Sequence, residues 1–166
     1  QFPADYGLGS SSTLMSNLGE WAEIDPFVLN EISLGGSGYD VAVAKEKSAV
    51  LYIRFPERVY EKVTFDPPFK EDLILIHLNQ KQDTREGISH YRSKPKSLAL
   101  IEECSELTKT IVSTKDLEGF SELMTIHEQK LSDFLSTPTV KEKYFENCPS
   151  FVKSLGAWGG DFVLTS

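Results

Sequence analysis

Apolar side chains recur at helical spacing near the start of the chain. Leu14, Leu18 and Trp21 fall at positions i, i+4 and i+7, which is the period of one helix face. The pattern predicts a helix over residues 9–24 that carries these three side chains on its apolar side.

A second short helix is predicted directly after the first. Asp25 can cap it, and Pro26 suits the first helical position because proline has no N–H to leave unpaired there. This helix is expected to run to about Ser33. The glycines at 35–38 then form a flexible turn, and Tyr39–Ala44 predicts a further short helical segment.

From residue 49 onwards the pattern changes to short runs of β-branched and aromatic residues. Proline and charged residues separate these runs, as they separate strands in antiparallel sheets. Five strands are predicted, at Ala49–Phe55, Tyr60–Phe65, Leu73–Leu78, Phe151–Leu155 and Phe162–Thr165.

Two long helices are predicted between the third and fourth strands, at Lys96–Ser113 and Asp116–Leu135, each with a continuous apolar stripe. The order of helices, strands, two helices and strands indicates an α+β fold, with helices packed on a largely antiparallel sheet. We place a boundary between two domains near residues 66–72, which gives domains 1–68 and 69–166.

Composition narrows the class of partner. The chain has 166 residues, 40% of them hydrophobic and 25% charged, and a net charge of −8, which argues against nucleic acid as a partner. The two cysteines lack metal or redox spacing, and no run approaches the roughly 18 apolar residues of a membrane span. We therefore expect a cytoplasmic protein that does not bind a membrane. The acidic net charge does not exclude a local basic pocket for a phosphorylated small molecule.

Three glycine-rich segments stand out: GLGSSST at 7–13, GGSGYDVA at 35–42 and SLGAWGGDF at 154–162. Glycine ahead of a helix lets the backbone approach an anion, and the helix start offers unpaired N–H groups with a partial positive charge. The first segment alone is also compatible with a serine-rich helix cap and a turn. Three such segments in one chain favour a phosphate-binding protein.

These segments together resemble motifs of the GHMP kinase superfamily, in the order that the family has them. PADYGLGSSS at 3–12 resembles its phosphate-binding motif, GGSGYD the segment with the catalytic aspartate of the mevalonate kinase branch, and SLGAWGGDF its C-terminal glycine motif. The run Gly-Tyr-Asp-Val-Ala is similar to that of a bacterial subgroup named for Gly-Tyr-Asp-Ile-Ala. Ser12, Trp158 and Asp161 depart from the usual pattern, which leaves the substrate open.

The resemblance implies a GHMP-kinase-like fold and an enzyme that transfers a phosphoryl group from ATP, with Mg²⁺, to a hydroxyl or phosphate of a small metabolite. Mevalonate and phosphomevalonate are the favoured acceptors. The residues implied in nucleotide binding are Gly7, Leu8, Gly9, Ser10, Ser11, Ser12 and Thr13 of the first segment, and Gly156, Ala157, Gly159 and Gly160 of the last.

The resemblance also implies individual roles. Asp40 is the expected catalytic residue, which would accept or orient the proton of the acceptor hydroxyl. Without the family, Asp40 is better explained as a carboxylate that favours a helix start. Ser11 is the first candidate for a hydroxyl near Mg²⁺, and Glu31 is a second metal candidate.

The segment HLNQKQDTREGI at 77–88 resembles the part of mevalonate and phosphomevalonate kinases that lies near the substrate. It makes Lys81, Thr84 and Arg85 candidates for binding an acidic or phosphorylated acceptor. A solvated loop and helix start explains the same residues. Trp158, which replaces a family glycine, is expected to narrow the pocket beside the phosphate loop or to stack on a neighbour there, and it is a further candidate for contact with the substrate.

Members of the family carry a substantial portion ahead of the phosphate-binding motif, and the chain is therefore expected to be an interior fragment with an incomplete N-terminal domain. A sheet without its first strands exposes edges and apolar faces, so association into a homo-oligomer is expected. The alternative to an active kinase is a catalytically inactive or self-associating fragment that binds at most phosphate or nucleotide.

Overall fold

The computed structural model describes residues 9–80, 84–158 and 161–166. The fold is α+β, as the sequence predicts, with seven α-helices and two small antiparallel sheets among the described residues. The chain divides into two compact units that meet in sequence between Phe65 and Asp66. None of the described helices is long and apolar enough to cross a membrane.

The first unit, up to Phe65, consists of three helices followed by a hairpin. Its elements are α1 (Ser10–Ala22), α2 (Pro26–Ser33), α3 (Tyr39–Glu46), β1 (Val50–Ile53) and β2 (Val59–Lys62). The two strands pair antiparallel, with Val50 opposite Lys62 and Ile53 opposite Val59. Asp25 caps α2 as predicted, because its carboxylate accepts the Phe27 N–H at 2.8 Å.

The core of the first unit forms where the three helices meet the hairpin. Phe27, Val41 and Ala42 are its most buried members, and Met15 completes the cluster. Tyr52 and Tyr60 of the hairpin cover it, with the Tyr60 ring 5.6 Å from that of Phe27. The hairpin therefore supplies aromatic area that three short helices lack.

The predicted apolar face of α1 is wrong. Trp21 is 84% exposed and Leu14 and Leu18 are also exposed, whereas Met15 and Gly19 are buried. A β-carbon on Gly19 would lie 2.7 Å from the Ile24 carbonyl oxygen, so the chain after α1 passes directly over this glycine. The buried side of α1 is therefore set by the close approach of the following chain to Gly19. The bulky apolar side chains of the helix do not set it.

The second unit, from Asp66 onwards, combines four helices with a three-stranded sheet. A 3₁₀ turn (Lys70–Asp72) leads into β3 (Ile74–His77), α4 (Thr84–Ser93), α5 (Leu98–Ser113), α6 (Leu117–Leu135), α7 (Val140–Tyr144), β4 (Lys153–Ser154) and β5 (Phe162–Thr165). The strand order is β3-β5-β4 and both ladders are antiparallel. The single sheet of the prediction is therefore wrong, because each unit pairs its own strands.

Two hydrophobic centres hold the second unit together. Val163 of β5 is fully buried and packs with Val140 and Val152. Phe120 of α6 lies between Phe69 and Phe151, with ring centroids 5.1 and 5.7 Å away. The predicted stripe of α6 thus does contribute to a core.

A buried ion pair joins α6 to β4. Lys153 Nζ lies 3.0 Å from Glu128 Oε2, and both side chains are about nine-tenths buried. The Ser154 hydroxyl donates to the same carboxylate oxygen at 2.8 Å, and the ammonium also donates to the Ser154 carbonyl at 2.7 Å. Burial and, second, the Lys153 charge lower the pKa of the adjacent His127. The ion pair and the hydrogen bonds around Glu128 fix β4, the strand that precedes the last glycine segment.

The Glu128–Lys153 pair makes a testable contribution to stability. We expect Glu128→Leu or Lys153→Met alone to cost about 3–5 kcal/mol, because each leaves an uncompensated buried charge. The double variant should lose less than either single variant, since it buries no charge. Equilibrium denaturation measures all three, with Glu106→Gln in the exposed Glu106–Lys109 pair as the control that barely changes stability. Additive losses in the double variant would contradict this account.

Candidate functional site

Two helices of the first unit begin at a glycine in the left-handed backbone conformation. Gly9 precedes α1 with φ 69°, and Gly38 precedes α3 with φ 86°. Neither helix start has a side-chain cap among the described residues. The first N–H groups of α1 therefore lie at the positive end of the helix dipole with no side-chain acceptor among the described residues, whereas in α3 the Val41 N–H donates to the Asp40 carboxylate.

Four other helices begin with a side-chain cap. A side chain accepts a first-turn N–H in α2, α5, α6 and α7, from Asp25, Ser97, Asp116 and Thr139. Thr139 even forms a full capping box with Glu142. The two glycine starts lie in two of the three segments that the sequence singles out, so local sequence and helix-start geometry agree there.

Some of the groups at the start of α1 that are predicted to bind the nucleotide are exposed, and others form hydrogen bonds within the helix. Ser10, Ser11 and Thr13 are exposed, but the Thr13 N–H donates to the Gly9 carbonyl at 3.1 Å. The Ser12 hydroxyl is buried and donates to the same carbonyl at 2.8 Å. The N–H groups of Ser10–Ser12 and the hydroxyls of Ser10 and Ser11 are thus the groups suited to an anion.

Asp40 lies in the first turn of α3 and is half-buried. Its Oδ1 accepts the N–H of Val41 at 3.0 Å, an interaction that a helix-entry carboxylate makes. Val41 is itself fully buried, so the backbone that carries Asp40 is fixed by the core. The geometry is therefore compatible with both readings of Asp40 in the sequence.

Hydrogen bonds from two sides hold the loop ahead of α3. The buried Asn30 side chain donates to the Gly35 carbonyl at 2.9 Å, and the Tyr52 hydroxyl donates to the Ser37 carbonyl. A β-carbon on Gly38 would lie 3.2 Å from Phe27 Cδ1 and 3.3 Å from the Tyr52 hydroxyl oxygen. Gly38 is thus required both by its φ and by the closeness of its neighbours.

A pocket of about 180 Å³ opens beside this loop. The hairpin turn between β1 and β2 forms its other wall and contributes two arginines, Arg54 and Arg58. Neither arginine is among the site residues predicted from the sequence, because Arg54 falls in a predicted strand and Arg58 in the charged break that follows it. The full lining is Phe27, Asn30, Glu31, Gly36, Ser37, Gly38, Arg54, Phe55 and Arg58.

Glu31 belongs to this pocket and lies 4.0 Å from Arg58. A carboxylate beside a guanidinium group is poorly suited to Mg²⁺, because the arginine repels a further cation. No group of three metal-ligating acidic, histidine or cysteine side chains occurs in the described part of the chain. Ser11 lies on another element, α1, and the role of both residues in metal binding stays a prediction.

The second unit brings two other predicted segments together. Gly87 of α4 packs on Ala157, where an added β-carbon would meet the Ala157 carbonyl oxygen at 3.0 Å. The Trp158 ring stacks on Tyr91 of the same helix, with centroids 5.3 Å apart. Thr84 and Arg85 begin this helix, and the Arg85 side chain is exposed. Trp158 therefore packs on α4, and its predicted role near the substrate stays a prediction.

Trp158 has an unusual backbone conformation. Its φ is 58°, in the left-handed region, and Gly156 before it has φ 74°. A bulky residue pays strain energy for this conformation and keeps it only where the surroundings fix it. Among the remaining predicted residues, Gly7, Leu8, Lys81, Gly159 and Gly160 lie outside the described residues.

Comparison with known proteins adds no family assignment. No protein-family model matches the chain, and no curated protein matches it. The site therefore has to be interpreted from its own residues.

Gly38 offers a direct test of the loop. Gly38→Ala should lower the free energy of unfolding by about 2–3 kcal/mol, because it adds both a strained φ and a steric contact. Gly35→Ala is the matched control, since Gly35 has φ 71° but no atom within 4 Å of an added β-carbon. We expect it to cost only about 1–2 kcal/mol. Equal losses in urea denaturation would show that the contacts of Gly38 contribute nothing.

Proposed function

We propose that the chain belongs to an ATP-dependent kinase that phosphorylates a small metabolite, with mevalonate and phosphomevalonate as the first acceptors to test. The observation that carries the proposal is the pair of helices that begin at left-handed glycines without side-chain caps. Both starts coincide with segments that resemble GHMP kinase motifs. The fold class is compatible with that family.

The start of α1 fits the phosphates of ATP. The N–H groups of Ser10, Ser11 and Ser12 and the exposed hydroxyls of Ser10 and Ser11 can donate to phosphate oxygens, and no side chain of the described residues caps this helix start. Such donors stabilise charge on the transferring group, which is most of what a kinase must do. Gly156 and Ala157 belong to the second unit, and their contact with the nucleotide stays a prediction from the resemblance.

Of the two residues predicted to bind Mg²⁺, Ser11 and Glu31, the structure favours Ser11. The exposed Ser11 hydroxyl beside the phosphate donors would hold Mg²⁺ together with phosphate oxygens, the arrangement that this ion prefers. Bound there, Mg²⁺ would neutralise charge on the phosphates. Glu31 is the weaker ligand because Arg58 lies 4.0 Å from it.

Asp40 is the proposed catalytic residue. The oxygen of the acceptor hydroxyl forms a bond to the γ-phosphorus while the bond from that phosphorus to the bridging oxygen of ADP breaks. The hydroxyl proton passes to the Asp40 carboxylate. The buried backbone around Val41 supports this role because it keeps the carboxylate in one place.

Thr84, Arg85 and Trp158 belong to the second unit, and their role in acceptor binding stays a prediction from the resemblance. The packing of α4 on Ala157 and the Tyr91–Trp158 stack support it, since both segments then form one surface. A rigid aromatic pair at such a position sets the size of acceptor that fits.

A second candidate is an inactive chain that self-associates. Ile74 and Leu75 of β3 are more than half exposed, and β3 pairs on one side only among the described strands. An exposed apolar strand edge is a place where another chain can pair. Oligomers in size-exclusion chromatography, together with no turnover in a kinase assay, would favour this candidate.

The Asp40→Asn variant tests the kinase. We expect ADP release in the presence of mevalonate, phosphomevalonate or homoserine to identify an acceptor, and Asp40→Asn to lower turnover at least about 10²-fold. Asparagine keeps the size and the hydrogen bond to Val41 but cannot accept the proton. Glu46→Gln at the other end of α3 is the control and should retain activity. Unchanged turnover in Asp40→Asn would exclude Asp40 as the base.

A further inference from the structure

The pocket beside Gly36–Gly38 has features that the proposed nucleotide site does not use. Its volume of about 180 Å³ is below the roughly 300–1,000 Å³ of sites for drug-sized ligands, so it suits a small metabolite or one end of a larger one. One wall is the glycine loop, which presents backbone close to the cavity. The opposite wall is the turn that carries Arg54 and Arg58.

The charge of the pocket is positive although the chain is acidic. Its lining contains two arginines and a single carboxylate, that of Glu31. The 4.0 Å contact of Glu31 with Arg58 is long, and the Glu31 side chain is 74% exposed. Such a pair contributes little and can open for a better anion. The excess guanidinium charge therefore remains available to a ligand.

Both guanidinium groups lie over aromatic rings that also line the pocket. Arg58 Cζ is 4.4 Å from the centre of the Phe27 ring, and Arg54 Cζ is 5.1 Å from that of Phe55. Stacking on a ring restricts an arginine and leaves its N–H groups at the edge of the guanidinium plane free to bond. Phe27 is buried in the core, so Arg58 rests on a fixed surface.

We propose that this pocket binds the carboxylate or phosphate group of a small metabolite, with Arg54 and Arg58 as its ligands. Arginine presents paired N–H groups that match two oxygens of either group, which makes it suited to both. The identification of this metabolite as the phosphoryl acceptor rests on the proposed function. Binding of the anion itself does not.

The experiment is an amide NMR titration of the whole chain with inorganic phosphate and, separately, with malonate, at constant ionic strength and without ATP. We expect saturable shifts at Gly36, Ser37 and Gly38 with at least one of the two anions. Saturation by phosphate alone or by malonate alone assigns the preferred group. Shifts that never saturate with either anion would overturn the proposal.

Variants separate the pocket from general charge effects. Arg54→Gln and Arg58→Gln should each weaken binding about tenfold or more. Lys62→Gln removes a positive charge from the same hairpin outside the pocket and should bind as tightly as the unmodified chain. Equal weakening in all three variants would contradict the assignment. Preserved amide dispersion in each variant shows that the fold is intact.

Failure of this proposal is distinguishable from failure of the proposed function. Saturable anion binding in a chain that shows no turnover would support the pocket and leave the kinase unsupported. Turnover with an unchanged KM for the acceptor in Arg54→Gln and Arg58→Gln would overturn the pocket as acceptor site and leave the kinase standing.

Discussion

The left-handed backbone at Gly38 is the constraint on which the first unit depends. It lets the chain turn from the loop into α3 while passing within contact of Phe27 and the Tyr52 hydroxyl. The turn brings Val41 into the core, sets the position of Asp40, and forms one wall of the arginine pocket. A side chain at this position would disturb all three, because each depends on the same few backbone angles. Gly9 has the same left-handed backbone at the start of α1.

The second unit is held by a different kind of interaction. The buried Glu128–Lys153 pair fixes β4, and the strand leads directly into the segment with Gly156 and Trp158. Buried charges of this kind add little net stability, but they disfavour any arrangement that leaves them unpaired. They therefore suit a strand of two residues that has few backbone bonds of its own. The strained Trp158 is fixed in turn by its stack on Tyr91.

Local signals predicted much of the fold from the sequence. The Asp25 cap and the α6 stripe arise from neighbouring residues alone, and the sequence was right about them. The buried side of α1 could not be predicted, because Gly19 is selected by a chain segment that passes over it. The arginine pocket was missed for a similar reason, since Arg54 and Arg58 meet only when the hairpin folds beside the glycine loop. The one signal of these two arginines in the sequence was their position, since they lie on either side of the proline in the turn between two predicted strands.

The central claim is that the start of α1 binds the phosphates of a nucleotide. The most direct measurement is an amide NMR titration of the chain with a non-hydrolysable ATP analogue and Mg²⁺. The account predicts saturable shifts at the amides of Ser10, Ser11 and Ser12, whose N–H groups have no side-chain cap among the described residues. Saturation confined to other amides, or no saturation at millimolar analogue, would contradict it.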